Sequence, residues 1–415
     1  MNRPSRKTHG LFLALLASLA YPGCEPSPGN GAVVEVRDSA GIVIVENRGS
    51  SVPDGVWQVD PDPLLSIGTF QGDSLYQLYE VSGAVRLPDG RIAVANRGSG
   101  EIRIYDMEGR FLVSHGQKGE GPGEFQAPSL VGVVGGDTLV VLDSRLRRVS
   151  LLDADAGFSG SARVEDDVGG ALYPQGIFSD RTVLVGGGFY WSSDSGDELT
   201  DGYTRPPTSY QSLHLDGTLG HDFGEFPGSE FFMEIRRSGG RVAMSARLIP
   251  FGRFPMVAVA PGSMYFGSGD SWEVKGYAPD GSLERVIRWD RPAVPVTASS
   301  LDAHIREQEG EAEGNEAREI RERISEMPVP ETMPAFGGLH ADELGYLWVE
   351  RFRPPEDHVP TFDIFQGEGT LVARAILPVE AEVLQIREDE ILTLYRDDLG
   401  VEYLRLYSLR RRSGS

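Results

Sequence analysis

Short apolar runs with β-strand character recur along the chain, separated by glycine-rich turns, and they are clearest between residues 81 and 125. The runs there are residues 81–87, 92–95, 102–105 and 111–113. Charged Glu101 and Arg103 alternate with apolar residues in the third run, and this period of two predicts a half-buried strand. Four strands with tight connections in about 40 residues are the length of one β-propeller blade.

The turns that join these runs have a physical basis in the sequence. In Pro88-Asp89-Gly90 the proline sets φ, the aspartate bonds the local backbone, and the glycine accepts a positive φ. The same tripeptide returns at 279–281, and residues 345–349 match the start of the second run. The turns therefore indicate that one four-stranded unit is repeated.

The repeat predicts an all-β fold, a six-bladed β-propeller spanning residues 33–410. The predicted copies are residues 81–125, 130–164, 176–232, 254–289 and 336–377, with a last set at 382–409. This last set has only three strands, whereas residues 64–67 supply an extra strand before the first copy. We therefore expect the N-terminal strand to complete the last blade, a closure that removes the open edge of the ring.

Two segments depart from the repeat. Residues 33–47 predict a hairpin with its turn near 38–41, ahead of the ring. Residues 298–327 are rich in Glu, Arg and Ala and predict a helical insertion. Gly310 and Gly314 leave one helix or two as alternatives. The insertion either caps one mouth of the channel or decorates the surface.

The N-terminus predicts export. A basic start precedes an apolar run at 11–20 that is too short to span a bilayer and is typical of a signal peptide. Cys24, the only cysteine, follows as in a bacterial lipobox, which gives a signal peptide over 1–23 and a flexible linker over 24–32. The alternative is cleavage after Ala20. We expect an exported protein, periplasmic or anchored to the outer membrane through a lipid on Cys24, ending in a tail at 411–415.

The formal net charge of −23 bears on the partners. Acidic residues are spread along the whole chain, and phosphate binding needs clustered Lys and Arg. The composition therefore disfavours nucleic acid and anionic lipid headgroups, so that we expect membrane contact only through the lipid anchor. We also expect a monomer.

Several motifs together carry a resemblance to a known family. The glycine-rich GEGPGEF at 119–125, with the LPDG turn and the IRIYD strand before it, resembles the six-bladed propellers of the NHL-repeat type. The opening VRDSAGIVIVEN and a late Leu-Trp-Val strand are similar to those of exported bacterial six-bladed propellers. The resemblance implies an envelope location and a scaffold that binds peptides, proteins or other ligands, with no agreed activity.

Some six-bladed propellers are calcium-dependent lactonases or esterases, which hold the metal with oxygen ligands from the innermost strands. The predicted inner strands here offer Glu80, Gln175, His340, Glu380 and Glu382. Carboxylates come from only two blades, which makes a poor calcium cage, so we expect no cofactor and keep calcium as the alternative. Residues 72–75 spell the Gly-Asp-Ser-Leu motif of a hydrolase class, but no Asp-x-x-His follows late in the chain.

These observations predict a non-enzymatic scaffold that binds a ligand or protein at one mouth of the propeller. The residues expected to line that mouth are Tyr79, Glu80, Arg86, Tyr173, Gln175, Phe254, Phe336 and His340. The alternative is a metal-dependent lactonase or esterase with its site in the central channel. A purely structural envelope component is a third hypothesis.

Overall fold

The structure is a computed structural model of the chain. It describes residues 33–49, 52, 55–164, 172–187, 201–238, 241–378 and 381–411. Within these ranges the regular structure is almost entirely β-strand, and no helix combines the length and apolar composition needed to cross a bilayer. The predicted signal peptide and linker and Cys24 lie outside the described residues, as do Glu380 and most of the predicted tail.

Thirty strands and two α-helices make up the described elements, apart from a short 3-10 turn at Ser74–Tyr76. In chain order they are β1 Val33–Ser39, β2 Ile42–Arg48, β3 Val56–Val59, β4 Leu65–Ile67, β5 Val81–Arg86, β6 Ile92–Asn96, β7 Glu101–Tyr105, β8 Phe111–His115, β9 Pro128–Val134, β10 Thr138–Asp143, β11 Arg148–Asp153, β12 Gly157–Arg163, β13 Pro174–Ile177, β14 Val183–Gly186, β15 Gly202–Thr204, β16 Thr208–Leu213, β17 Leu219–Phe226, β18 Phe231–Ser238, β19 Arg241–Leu248, β20 Met256–Ala260, β21 Ser263–Gly267, β22 Glu273–Tyr277, β23 Leu283–Trp289, α1 Ala298–Glu309, α2 Asn315–Ser325, β24 Phe336–Ala341, β25 Leu347–Arg351, β26 Thr361–Phe365, β27 Leu371–Ile376, β28 Glu382–Ile386, β29 Glu390–Arg396 and β30 Glu402–Arg410.

The strands form antiparallel meanders of the predicted kind. One sheet has the order β5-β6-β7-β8, and others follow with the orders β9 to β12, β13-β14-β16-β17, β20 to β23 and β24 to β27. We name each sheet by its first strand. In the turn after β5, the amide of Leu87 donates to the Arg91 carbonyl at 2.8 Å, and Gly90 has a φ of +91°. The predicted turn at 88–90 is therefore confirmed.

The first strands of consecutive sheets are neighbours. β5 lies beside β9, β9 beside β13, β13 beside β20, and β20 beside β24, while β28 lies beside β5. The sheets therefore stand around a common centre, which is the arrangement of a β-propeller.

The core is divided into layers between neighbouring sheets, as β6 shows. Ala93 and Ala95 pack towards the β9 sheet, whereas Ile92 and Val94 pack towards the β28 sheet. Because successive side chains of a strand point to opposite faces, a strand between two sheets must be apolar at every position. All four of these residues are at most 1% exposed. Burying a large aliphatic side chain contributes about 1.5–3 kcal/mol, so this layering is the main source of stability.

The last sheet is closed by the N-terminal part of the chain. β28, β29 and β30 form an antiparallel sheet, and β4 pairs with β30 through Ile67 opposite Leu404 and Leu65 opposite Leu406. This is the pairing predicted from the missing strand of the last set. The predicted hairpin is also confirmed as β1 and β2, and β2 runs parallel to β23 at the outer edge of the β20 sheet.

The sequence did not predict one of the sheets. β18 and β19 form a hairpin that pairs with β15, outside the β13 sheet. The predicted end of the third copy, at residue 232, was wrong because it falls inside this hairpin. Residues 219–226 are strand β17, paired with β16, and the chain then adds the hairpin before it returns at β20.

The helical insertion is confirmed, and it consists of two helices. Thr297 caps α1, since its Oγ1 accepts from the Ser300 amide at 3.1 Å and its own amide donates to Ser300 Oγ at 2.9 Å. The side chains of Ala303 and Ile305 in α1 are buried, and the ring of His304 in the same helix lies 5.3 Å from the Phe251 ring. The insertion is therefore docked onto the segment between β19 and β20.

Candidate ligand-binding site

A cavity of about 540 Å³ lies where the first strands meet, and we call it the central cavity. Its wall is mainly aliphatic side chains and strand backbone. The aliphatic lining residues lie on successive first strands and include Val85, Val131, Ile177, Val257, Leu339 and Val383. Polar side chains also line the cavity, and these are Arg86, Gln175, His340, Glu343, Gln385 and Arg387.

Three of the predicted site residues, Arg86, Gln175 and His340, line this cavity together. Arg86 Nε lies 2.8 Å from Glu390 Oε1 on β29, and the Arg86 amide donates to Gln385 Oε1 at 2.7 Å. Gln175 Nε2 donates to the Gly186 carbonyl at 2.9 Å. The polar groups are therefore largely engaged within the ring, although Arg86 Nη1 is buried without a hydrogen-bond partner among the described residues.

Three of the predicted site residues lie just before the first strand of their sheet and not on it, which corrects the prediction that they line the channel mouth. β5 begins at Val81, so that Tyr79 and Glu80 lie in the preceding turn; Tyr79 is 66% exposed and Glu80 has a φ of +53°. Tyr173 precedes β13 and is 53% exposed. None of the three lines a cavity described here. The apolar run of a strand has no sharply marked start in the sequence, so one or two residues of the preceding turn were counted as part of the strand.

The two predicted phenylalanines also lie elsewhere. Phe336 begins β24, but it is fully buried with its ring 5.8 Å from Trp289, so that it fills the layer between two sheets. Phe254 lies just before β20 and not among the residues of the central cavity. It lines a second cavity instead.

This second cavity has a volume of about 530 Å³, and we call it the α1 cavity. Most of its wall comes from three segments that depart from the repeat: the connection 249–254, helix α1 and the connection 352–358. Leu248 at the end of β19 and Glu350 and Arg351 at the end of β25 complete it. The aromatic rings of Phe251 and Phe352 lie 6.3 Å apart, and His304 of α1 packs on Phe251. Gly337 at the start of β24 also lines it. The cavity therefore lies at the mouth where β24 begins, and α1 is part of its wall rather than a detached surface element.

A third cavity lies between the β24 and β28 sheets. It has a volume of about 610 Å³, and it shares His340 with the central cavity and Glu350 and Arg353 with the α1 cavity. His340 Nε2 lies 3.9 Å from Glu350 Oε2, and Arg353 Nε donates to Glu350 Oε1 at 3.1 Å. Burial raises the pKa of Glu350, but the nearby imidazole of His340 and the guanidinium of Arg353 outweigh it and leave the pKa below its usual range.

A cluster of three arginines around one carboxylate adjoins the α1 cavity. Asp363 is 1% exposed, and its Oδ1 accepts from Arg291 Nη2 at 2.8 Å, Arg351 Nη2 at 2.9 Å and Arg374 Nε at 3.2 Å. Burial lowers the pKa of Arg291, and repulsion by Arg351 and Arg374 adds to this against the attraction of Asp363. The cluster therefore carries positive charge that its single carboxylate does not balance.

Only Arg351 of this cluster lines the α1 cavity. The sequence analysis did not predict it, and Phe254 is the one predicted site residue among those that line this cavity. The available signal was the segment Arg351-Phe352-Arg353-Pro354-Pro355, which follows a regular strand and opens a connection longer than those of the repeat. Basic and aromatic residues in a long loop of a regular scaffold favour a binding role.

The described residues give no support to a metal centre. Among them, no three histidine, cysteine or carboxylate side chains come close enough together to hold an ion. Glu382 lies at the start of β28, where it pairs with Arg396 at 3.5 Å. Glu80 lies outside its strand, so the two carboxylates do not form a common site.

The sequence matches no protein-family model, and no curated protein is significantly similar to it. Solved structures with a similar fold include a Bacteroides fragilis protein described as exported, with 11% identity over 89% of this chain and 100% of that chain and a TM-score of 0.47. A DUF4221 family member from Bacteroides vulgatus has 9% identity over 86% and 99% and a TM-score of 0.46. Virginiamycin B lyase from Staphylococcus aureus has 8% identity over 85% and 99% and a TM-score of 0.40. These values assign neither a family nor an activity.

Proposed function

We propose that the protein is a six-bladed, NHL-like β-propeller of the cell envelope that binds a ligand at one mouth of its ring without catalysing a reaction. The β5, β9, β13, β20, β24 and β28 sheets are taken as the blades. Lipidation of Cys24 would hold the exported protein on a membrane, in the periplasm or at the outer membrane. The ring would serve as a scaffold, with the binding surface built on it by insertions.

The observation that carries this proposal is the composition of the α1 cavity. Its walls combine aromatic rings, a helix face and charged groups that converge on one concave space, as ligand sites commonly do. The central cavity is similar in volume, but its polar groups are mostly engaged by the ring itself. A ligand therefore has more to recognise at the mouth than in the channel.

The lactonase-type alternative finds no specific support in the described residues. Such chemistry needs several oxygen ligands directed at one point, and the candidate carboxylates Glu80 and Glu382 do not converge. His340 and Glu350 come within 3.9 Å, which is too long for a hydrogen-bonded acid–base pair. We therefore favour binding over catalysis.

The test is capture of the native ligand by variants that block the cavity. Gln308 lines the α1 cavity from α1 and is exposed, so Gln308→Trp would fill the space without disturbing the core. Arg306→Trp is the matched control, since Arg306 is exposed on the same helix and does not line the cavity. The full chain with its leader would be produced in its own envelope and purified gently, and retained compounds and partners identified by mass spectrometry.

We expect the wild type and Arg306→Trp to retain the same compound, and Gln308→Trp to lose it. Retention of the same set by all three proteins would place binding elsewhere and overturn the proposal. Circular dichroism melting of each protein separates a blocked cavity from a misfolded one.

A further inference from the structure

The buried charge beside the α1 cavity points to the kind of ligand it takes. Asp363 supplies one negative charge, whereas Arg291, Arg351 and Arg374 supply three positive charges within hydrogen-bond distance of it. The cluster therefore has a formal excess of two positive charges. The chain as a whole has a net charge of −23, so this partly buried cluster has the opposite sign to the rest of the protein.

Arg351 brings this charge to the cavity wall. Its Nε and Nη2 groups contact Asp363 at 3.2 and 2.9 Å, which fixes the guanidinium plane through one edge. A guanidinium has five donors in a planar fork, so that the edge with Nη1 is left outside this interaction. That edge matches the geometry of a second carboxylate. Arg351 is thus a positioned donor that Asp363 holds in place.

The acidic residues of the cavity do not cancel this charge at the inner wall. Glu350 is engaged by Arg353 at 3.1 Å and lies near His340. Glu307 has a side chain that is 58% exposed, and Asp357 is exposed and accepts the Val359 amide at 3.0 Å. Charges at an exposed rim are screened by water and salt, whereas partly buried charges are screened much less.

The rest of the lining is suited to an apolar body. Phe251, Phe254 and Phe352 contribute rings, and Leu248 and Ile249 contribute aliphatic surface. We infer that the α1 cavity binds a small amphipathic carboxylate, with the carboxylate on Arg351 and an aromatic or aliphatic body against these rings. This inference rests on the proposed function, because it names the ligand class of that same cavity.

The inference is tested with three naphthalene probes that differ in charge. Isothermal titration at low salt would use the full-length exported protein with 2-naphthoate, 2-naphthylmethanol and 2-naphthylmethylammonium. We expect the naphthoate to bind about tenfold or more tightly than the alcohol, as one charge-assisted hydrogen bond would give. The ammonium compound should bind most weakly. A fourth probe, 1-naphthyl phosphate, separates a carboxylate site from a general anion site, and tighter binding of the phosphate would overturn the carboxylate assignment.

Three variants identify the group responsible. Arg351→Gln should abolish the preference for naphthoate over the alcohol, while Arg291 and Arg374 still neutralise Asp363 and keep the fold. Arg374→Gln removes a charge from the same cluster but does not line the cavity, so it should keep most of the preference. Arg351→Lys, which keeps the charge on a single donor, should keep part of it. Thermal melting identifies any variant that fails to fold.

The outcomes distinguish a failure of the carboxylate assignment from a failure of the proposed binding function. Equal binding of naphthoate and alcohol, both lost in Gln308→Trp, would overturn the carboxylate assignment and leave the cavity as a binding site. No binding of any probe would also overturn the assignment, and envelope capture with Gln308→Trp would then decide independently whether the cavity binds a ligand. An equal loss of preference in Arg351→Gln and Arg374→Gln would show that Arg351 does not contact the anion.

Discussion

The central cavity and the α1 cavity are similar in volume but are built differently. The first is formed by repeated strands, and its charged groups are paired: Arg86 with Glu390 of a neighbouring sheet, and Arg387 with Glu343. The second is formed mainly by connections that interrupt the repeat, together with the end of β25, and it adjoins a cluster with uncompensated positive charge. The repeat therefore provides stability and position, while its interruptions and the strand end beside them provide the groups a ligand could recognise.

The largest effect on stability is expected where one carboxylate neutralises the arginines beside the α1 cavity. Asp363→Asn keeps the shape of the side chain but leaves three arginines without their partner in a buried position. We expect a loss of about 3–5 kcal/mol in the free energy of unfolding, measured by urea titration. The exposed Asp280→Asn is the control and should cost well under that amount. A loss below about 1 kcal/mol would show that the arginines are neutralised in another way.

The next effect tests the closure that holds the ring around the central cavity. Gly68 has a φ of +145°, and a Cβ there would lie 2.5 Å from the Glu402 carbonyl oxygen of β30. Gly68→Ala therefore adds a clash to backbone strain, and we expect a loss of about 2–4 kcal/mol in unfolding free energy.

Gly72→Ala is the matched control for this substitution. Gly72 has a φ of +111° but nothing within 4 Å of an added Cβ, so only the backbone strain of about 1 kcal/mol should be felt. Equal losses in the two variants would mean that the contact between β4 and β30 contributes nothing beyond the strain.

A smaller effect concerns the wall of the α1 cavity. Thr297→Ala removes the side-chain cap of α1 and should destabilise the helix by about 1 kcal/mol. Amide hydrogen exchange of α1 should become faster while the strands around the central cavity keep their protection. Thr297→Ser should restore the protection. An equal increase of the exchange rate in α1 and in the strands around the central cavity would show that α1 does not open independently of the ring.

The smallest effect is a difference in pH dependence between two glutamates. Burial raises the pKa of Glu390 beside the central cavity, despite the opposing charge of Arg86. The folded state therefore binds this proton more tightly than the unfolded state, and the contribution of Glu390 to stability falls as the pH rises through its raised pKa. Glu390→Gln should remove that loss.

Glu350 at the α1 cavity has the opposite sign. Its pKa is lowered, so that its contribution is present above the pKa of the unfolded chain and is lost as the pH falls through the lower folded value. Unfolding free energies of Glu390→Gln and Glu350→Gln, measured from about pH 3 to about pH 8, should therefore depart from the wild type with opposite slopes. Slopes of the same sign would contradict the contrast between the regions.

How much of the site could be predicted depends on how far each residue follows the repeat. Arg86, Gln175 and His340 lie on regular first strands, and the period of two was enough to bring them to one cavity. Tyr79 and Tyr173 lie just outside strand ends, where an apolar run gives no sharp boundary. Phe336 is on its strand, but its side chain packs on Trp289 between sheets, and only the packing of neighbouring sheets decides that.

The sequence by itself determined the four-stranded unit, its turns, the closing strand and the existence of the helical insertion. These features rest on local periodicity, on turn chemistry and on the need to complete a sheet edge, all of which a short stretch of chain contains. The tertiary structure alone decided where Phe251, His304 and Arg351 meet, and that three arginines share Asp363. Arg351, Asp363 and Arg374 lie on three consecutive strands of one sheet, where Asp363 is paired with Arg374, but Arg291 reaches them from the neighbouring β20 sheet. Phe251, His304 and Arg351 are far apart along the chain and follow no common period, so they come together only once the ring has placed their segments side by side.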